Sequence, residues 1–134
     1  MTSDPNRAAV CWRKAEAHLR EASAQNPDAS PMAVINSSYF AMFHVARAVL
    51  FHTAGRAPKR HDEVIQQFGL LVRNLDEPLR AAGRAFNEIR DERTAADYDE
   101  TVVSSPEDAK DALQAARKCL ALCGARYRMR RSSP

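Results

Sequence analysis

The sequence predicts an all-α chain, an up-and-down bundle of four to five helices, on three observations. Apolar residues recur at three- and four-residue steps through most of the chain, with no sustained strand alternation. Only four glycines occur, so few positions favour tight turns. Asp4-Pro5, Ser30-Pro31 and Ser105-Pro106 each place a capping side chain before a proline, the pairing that suits the start of a helix.

The first helix is expected from about Pro5 to Gln25, with Ala8, Trp12, Ala15, Leu19 and Ala22 on one stripe. A longer second helix runs from Pro31 to a stop at Gly55. A short third one, near His61 to Leu71, carries Val64, Ile65, Phe68 and Leu71. The fourth spans roughly Pro78 to Ala96 and turns Phe86, Ile89 and Ala96 inward. The fifth begins at Pro106, with Glu107 and Asp108 at the positive end of its dipole, and aligns Ala109, Leu113, Ala116, Leu120, Cys123 and Tyr127. Short connections imply antiparallel neighbours.

The second helix breaks the one-stripe pattern. Ile35, Met42, Val45, Ala46 and Val49 cover one side, and Tyr39, Phe43 and Leu50 the next. The remaining stripe, Ser37, Phe40, His44, Arg47 and Phe51, mixes aromatic and polar groups. A surface helix keeps a charged back. This one is expected to pack in the core and also against a second subunit or another partner.

At 134 residues there is room for one domain, here 1–134, with a core of about 5–124 and a basic tail from 125 to 134. A hydrophobic fraction of 45% and a charged fraction of 28% exclude a disordered chain. The net charge of +3 is too small to argue by itself for nucleic acid. Three cysteines without framework spacing point to a reducing compartment. With no signal core and no uninterrupted apolar run of spanning length, a cytoplasmic protein off the membrane is expected.

Tyr39-Phe40-Ala41-Met42-Phe43-His44 followed by Ala46-Arg47-Ala48 resembles the YYAMFHAARA signature of small prokaryotic HEPN proteins. Gly55 and the turn Lys59-Arg60-His61 are similar to that family's glycine and Lys-Thr-His or Lys-Ser-His, Arg60 replacing the hydroxyl residue. Arg93-Thr94-Ala95-Ala96-Asp97-Tyr98-Asp99 resembles its R-x-x-A-D-Y-D segment. Taken together, roughly from Ala8 to Leu122, the resemblance implies a four- to five-helix bundle, usually dimeric, with the second and fourth helices flanking an interface cleft. Many HEPN proteins are metal-independent ribonucleases. Others pair with a minimal nucleotidyltransferase as toxin and antitoxin, and others bind RNA or nucleotide without cleaving it.

Metal-free RNA cleavage needs a base for the ribose 2′-hydroxyl and a cation for the phosphorane. Arg93 stands where the family's motif has its arginine, but no histidine follows it, and Tyr98 falls where one would be reached. A tyrosine with a pKa of about 10 is a poor base at neutral pH. His44, beside Arg47 on the mixed stripe, is the candidate substitute, against the plainer reading of a packing histidine. Arg93 and Asp97 form an i,i+4 pair, which reads either as a salt bridge at an interface or as a phosphate clamp. In some HEPN–nucleotidyltransferase pairs a tyrosine of this region accepts AMP, which makes Tyr98 a modification candidate. Cys119 and Cys123 read as core residues, and His52 and His61 as turn residues, so no metal or cofactor is expected. The basic run Arg126-Tyr127-Arg128-Met129-Arg130-Arg131 suits either a phosphate backbone or a solvated helix end.

The expected function is a catalytically degenerate HEPN homodimer that pairs with a minimal nucleotidyltransferase or binds RNA or nucleotide in its cleft. Arg47 and Arg93 would hold phosphate, Asp97 and Ser37 would position them, and His44 would line the cleft. One alternative is an endoribonuclease toxin with Arg93 as cation and His44 as base. Another is a structural or regulatory adaptor whose arginines hold the interface.

Overall fold

The computed structural model describes residues 3–129 and contains five helices, α1 (Pro5–Ala24), α2 (Pro31–Ala54), α3 (His61–Val72), α4 (Glu77–Tyr98) and α5 (Pro106–Tyr127), with no strand among the described residues. Two of the three predicted caps close as side-chain bonds. Asp4 accepts from the Arg7 amide at 3.0 Å, and Ser105 forms a capping box with Asp108. Ser30 precedes Pro31 at the start of α2 but makes no side-chain cap bond. Gly55 ends α2 at φ 77°, a left-handed conformation that suits glycine, and its N–H bonds the Phe51 carbonyl. α4 reaches Tyr98, past the expected stop, and α5 continues through 125–127, residues assigned to the tail. Arg130 and Arg131 of the basic run lie outside the described residues.

Contacts along the helices fix their directions. The Asp4 amide donates to the Phe51 carbonyl at 2.8 Å, so the start of α1 meets the end of α2 and the two are antiparallel. Asn36 meets Arg93, and Tyr39 meets Phe86, which sets α4 antiparallel to α2. Ser104 beside Met32 and Tyr127 beside His52 set α5 parallel to α2. The four long helices therefore alternate in direction. The short α3 is entered through a loop folded back along α2, where the Pro58 carbonyl accepts from Arg47 Nε at 3.2 Å.

α2 lies at the centre and touches all four other helices. Tyr39, Ile35, Met42, Val45 and Val49 are fully buried on it, and Phe68 of α3 and Phe86 of α4 pack edge-on nearby. Each such side chain contributes about 1.5–3 kcal/mol by leaving water. α1 fits closely against α5 because Gly124 leaves room for the Trp12 ring, which a Cβ there would meet at 3.2 Å. Packing within one chain thus covers most of the apolar surface that suggested a second subunit. By length and composition α2 could cross a membrane, but 72% of its most apolar window is buried inside the bundle.

Candidate functional site

Asn36, Tyr39, Phe40 and Phe43 follow one another at three- and four-residue steps and so share one face of α2. Phe86, Ile89 and then Arg93 descend the inner stripe of α4 toward that face. The Arg93 guanidinium lies 4.2 Å from the Tyr39 ring centre and 5.1 Å from that of Phe40. A cation over an aromatic face is attracted by the ring quadrupole. Arg93 Nε donates to Asn36 Oδ1 at 2.8 Å. His61, the first residue of α3, stacks on Phe43 with ring centres 4.1 Å apart, and its Nδ1 lies 2.8 Å from the Tyr39 hydroxyl.

The proton positions follow from burial. Loss of solvent pushes the Tyr39 phenol above its ordinary pKa, against the opposing charges of Arg93 and Arg90. The hydroxyl keeps its proton, and its hydrogen-bond partner among the described residues is His61. Burial also lowers the His61 pKa, and the charges of Arg93 and Arg47 lower it further. A neutral imidazole that accepts from Tyr39 at Nδ1 carries its own proton on Nε2. The result is a guanidinium and an N–H donor over aromatic faces, suited to an anion and poorly arranged to take up a proton.

The expected Arg93–Asp97 pairing is not formed. Among the described residues no ion pair joins them, because the guanidinium turns inward to neutral Asn36 while Asp97 is exposed. Arg47 is tied to the α2–α3 loop and lies over Phe43 and Phe51 at 6.0 and 5.4 Å, so it borders His61 rather than joining Arg93. Ser37 is buried on α2, and Arg93 and Arg47 are held by Asn36 and the Pro58 carbonyl instead. His44 faces α1, where its ring stacks on His18 at 5.3 Å, and burial lowers its pKa to about 4. The charges acting on it are those of His18, Lys14, Arg47 and His61, not Arg93. Tyr98 is 87% exposed at the end of α4.

Cys119 and Cys123 are free and buried, while His52 packs on Tyr127, well away from His61 in its interactions. Among the described residues no group of three metal-ligating side chains stands together. Asn36 carries no motif in the sequence, and Tyr39 and His61 stand there as parts of the family-like stretches, none of the three as a site residue. The signal that could have found Asn36 and Tyr39 is their shared face of α2 opposite the inward stripe of α4, whereas His61 lies on α3 and no single-helix pattern reaches it.

A model of the HEPN domain matches residues 8–126. The chain belongs to the HEPN family. No curated protein and no solved structure gives a significant match. Within this HEPN domain, the signature-like residues Tyr39, Phe40 and Phe43 of α2 supply the platform on which Arg93 and His61 meet.

Proposed function

We propose that this HEPN protein is a binding module for the phosphate of RNA or a nucleotide, with Arg93 as its central cation, and that it acts without cleaving its ligand. The carrying observation is the environment of Arg93: a half-buried guanidinium on two aromatic rings, bonded to a neutral amide, with no carboxylate partner among the described residues. Charge held in this way favours an incoming phosphate, which a guanidinium can grip with two N–H groups. His61 Nε2–H adds a second donor, and Phe40, which is half-buried, leaves part of a ring for a base to stack on. A homodimer joined through α2 and α4 would set two such sites in one cleft, and a minimal nucleotidyltransferase is the protein partner this reading accommodates. Tyr98, being exposed, is accessible to AMP transfer by such a partner.

A metal-independent endoribonuclease is the second reading, and the meeting of Arg93 with a histidine favours it. The base would be His61 rather than His44, which is turned toward α1. It would require the opposite tautomer, with Nδ1–H donating to the Tyr39 oxygen and Nε2 free to accept the 2′-hydroxyl proton. Two measurements separate the readings. Binding of 5′-AMP and of short RNA is compared in the wild type and Arg93→Ala, alongside cleavage of cellular RNA in EDTA. Binding that Arg93→Ala abolishes, with RNA left intact, supports the module. Cleavage that Arg93→Ala and His61→Gln both remove would replace it with the nuclease.

A further inference from the structure

We infer that the groove between α3 and α4 is a track for single-stranded nucleic acid that leads away from the Arg93 site. This rests on the phosphate-binding reading of that site. The groove encloses about 600 Å³ and is walled by Arg73, Arg80, Arg84 and Arg90. Ile65, Leu70 and Val72 supply apolar lining. Asp62 is the carboxylate on its rim, and Arg60 holds it at 3.3 Å. Glu77 is shared between Arg80 and Arg84, and Arg90 pairs with Asp91 at 3.1 Å, so the four wall arginines keep a smaller excess of positive charge, carried chiefly by Arg73. Arg73 makes no ion pair among the described residues. A positive groove tracks a phosphate backbone, and Ile65, Leu70 and Val72 give its bases apolar contact rather than an aromatic stacking surface.

The groove adjoins the site through Arg90 on α4 and Asp62 on α3. Arg90 stands one helical turn before Arg93 and its charge acts on Tyr39, while Asp62 follows His61 on the opposite wall. α3 is about 18 Å long, enough for a strand to extend beyond a single nucleotide. Two glycines shape the floor. A Cβ at Gly83 would meet Val72 Cγ2 at 2.9 Å, so glycine there lets α3 and α4 approach closely. A Cβ at Gly69 would meet nothing within 4 Å, so that side of α3 is left open to an occupant.

The test compares affinities for 5′-AMP, a uridine dodecamer and a poly-glutamate peptide in the wild type, Gly69→Met and Arg73→Ser. Both variants alter the groove outside the Arg93 cluster, and methionine suits a helix better than glycine. The dodecamer should bind at least about 10-fold more tightly than 5′-AMP. Gly69→Met should erase that gain while leaving AMP binding unchanged. Arg73→Ser should lower the salt slope of dodecamer binding by about 0.7. A dodecamer no tighter than AMP, or a length gain that survives in Gly69→Met, would overturn the track and leave the Arg93 site standing. A Gly69-sensitive dodecamer without AMP binding would sink the Arg93 reading and keep the groove. Displacement of the dodecamer by poly-glutamate at equal concentration would reassign the groove to an acidic protein segment.

Discussion

His44 and His61 both stack on a second ring, yet α2 presents them with opposite surroundings. His44 is wedged against His18 of α1, its Nδ1 buried without a hydrogen-bond partner among the described residues, and its pKa falls to about 4. His61 sits at the exposed start of α3 on Phe43, with Nδ1 engaged by Tyr39. One is a packing group that must stay neutral, and the other is a donor at an open edge. The difference teaches that a histidine's place in a motif says little about its chemistry until the helix face is known.

The most damaging way to break the comparison is to remove what supports the open edge. Phe86 is fully buried against Tyr39 and Phe68, so Phe86→Ala should cost about 3–5 kcal/mol and lower the denaturant midpoint accordingly. A smaller and more selective effect is expected from Arg93→Ala, with about 1.5–3 kcal/mol of nucleotide affinity lost by calorimetry while the bundle stays folded. Substitution with lysine should restore only part, since a point charge cannot reproduce the planar fork.

The acid limb of stability reports His44. Its folded pKa lies below its unfolded value, so its contribution is present above pH 6.5 and lost as pH falls toward 4. Over that window the wild type should lose about 1–3 kcal/mol that a His44→Gln variant does not. In the same titration, followed by NMR, bound 5′-AMP should raise the His61 midpoint, because an adjacent anion favours the imidazolium, and leave His44 unmoved. Movement of both, or of His44 alone, would remove the contrast between them. The smallest effect belongs to Asp97→Ala. With no ion pair to Arg93 among the described residues, it should change nucleotide affinity by less than about 0.5 kcal/mol.

What could be read from the sequence was local. The caps at Asp4 and Ser105 and the stop at Gly55 depend on residues within one turn, and they formed as expected. The site depends on contacts that span the chain. Arg93 reaches Asn36 across 57 positions, and Tyr39 reaches His61 across 22. Helical spacing offered Asp97 as the partner of Arg93, because an i,i+4 rule sees only one helix. It could not show that an aromatic face on α2 would draw the guanidinium inward. His44 was singled out beside Arg47 on a helical wheel, and the wheel did not reveal that α1 covers that arc.

The folded-back loop also sets how far this protein can vary in length. From Gly55 at the end of α2 the chain must return along about 18 Å of helix to place His61 over Phe43. The six steps from Gly55 to His61 can cover only about 20–22 Å when extended. That stretch therefore works as a gauge. Deleting one residue would drag His61 off its ring and pull on α3, whose Val64 and Phe68 are fully buried, while adding one would let it slide. Insertions harmless to folding in most surface loops would here detune recognition.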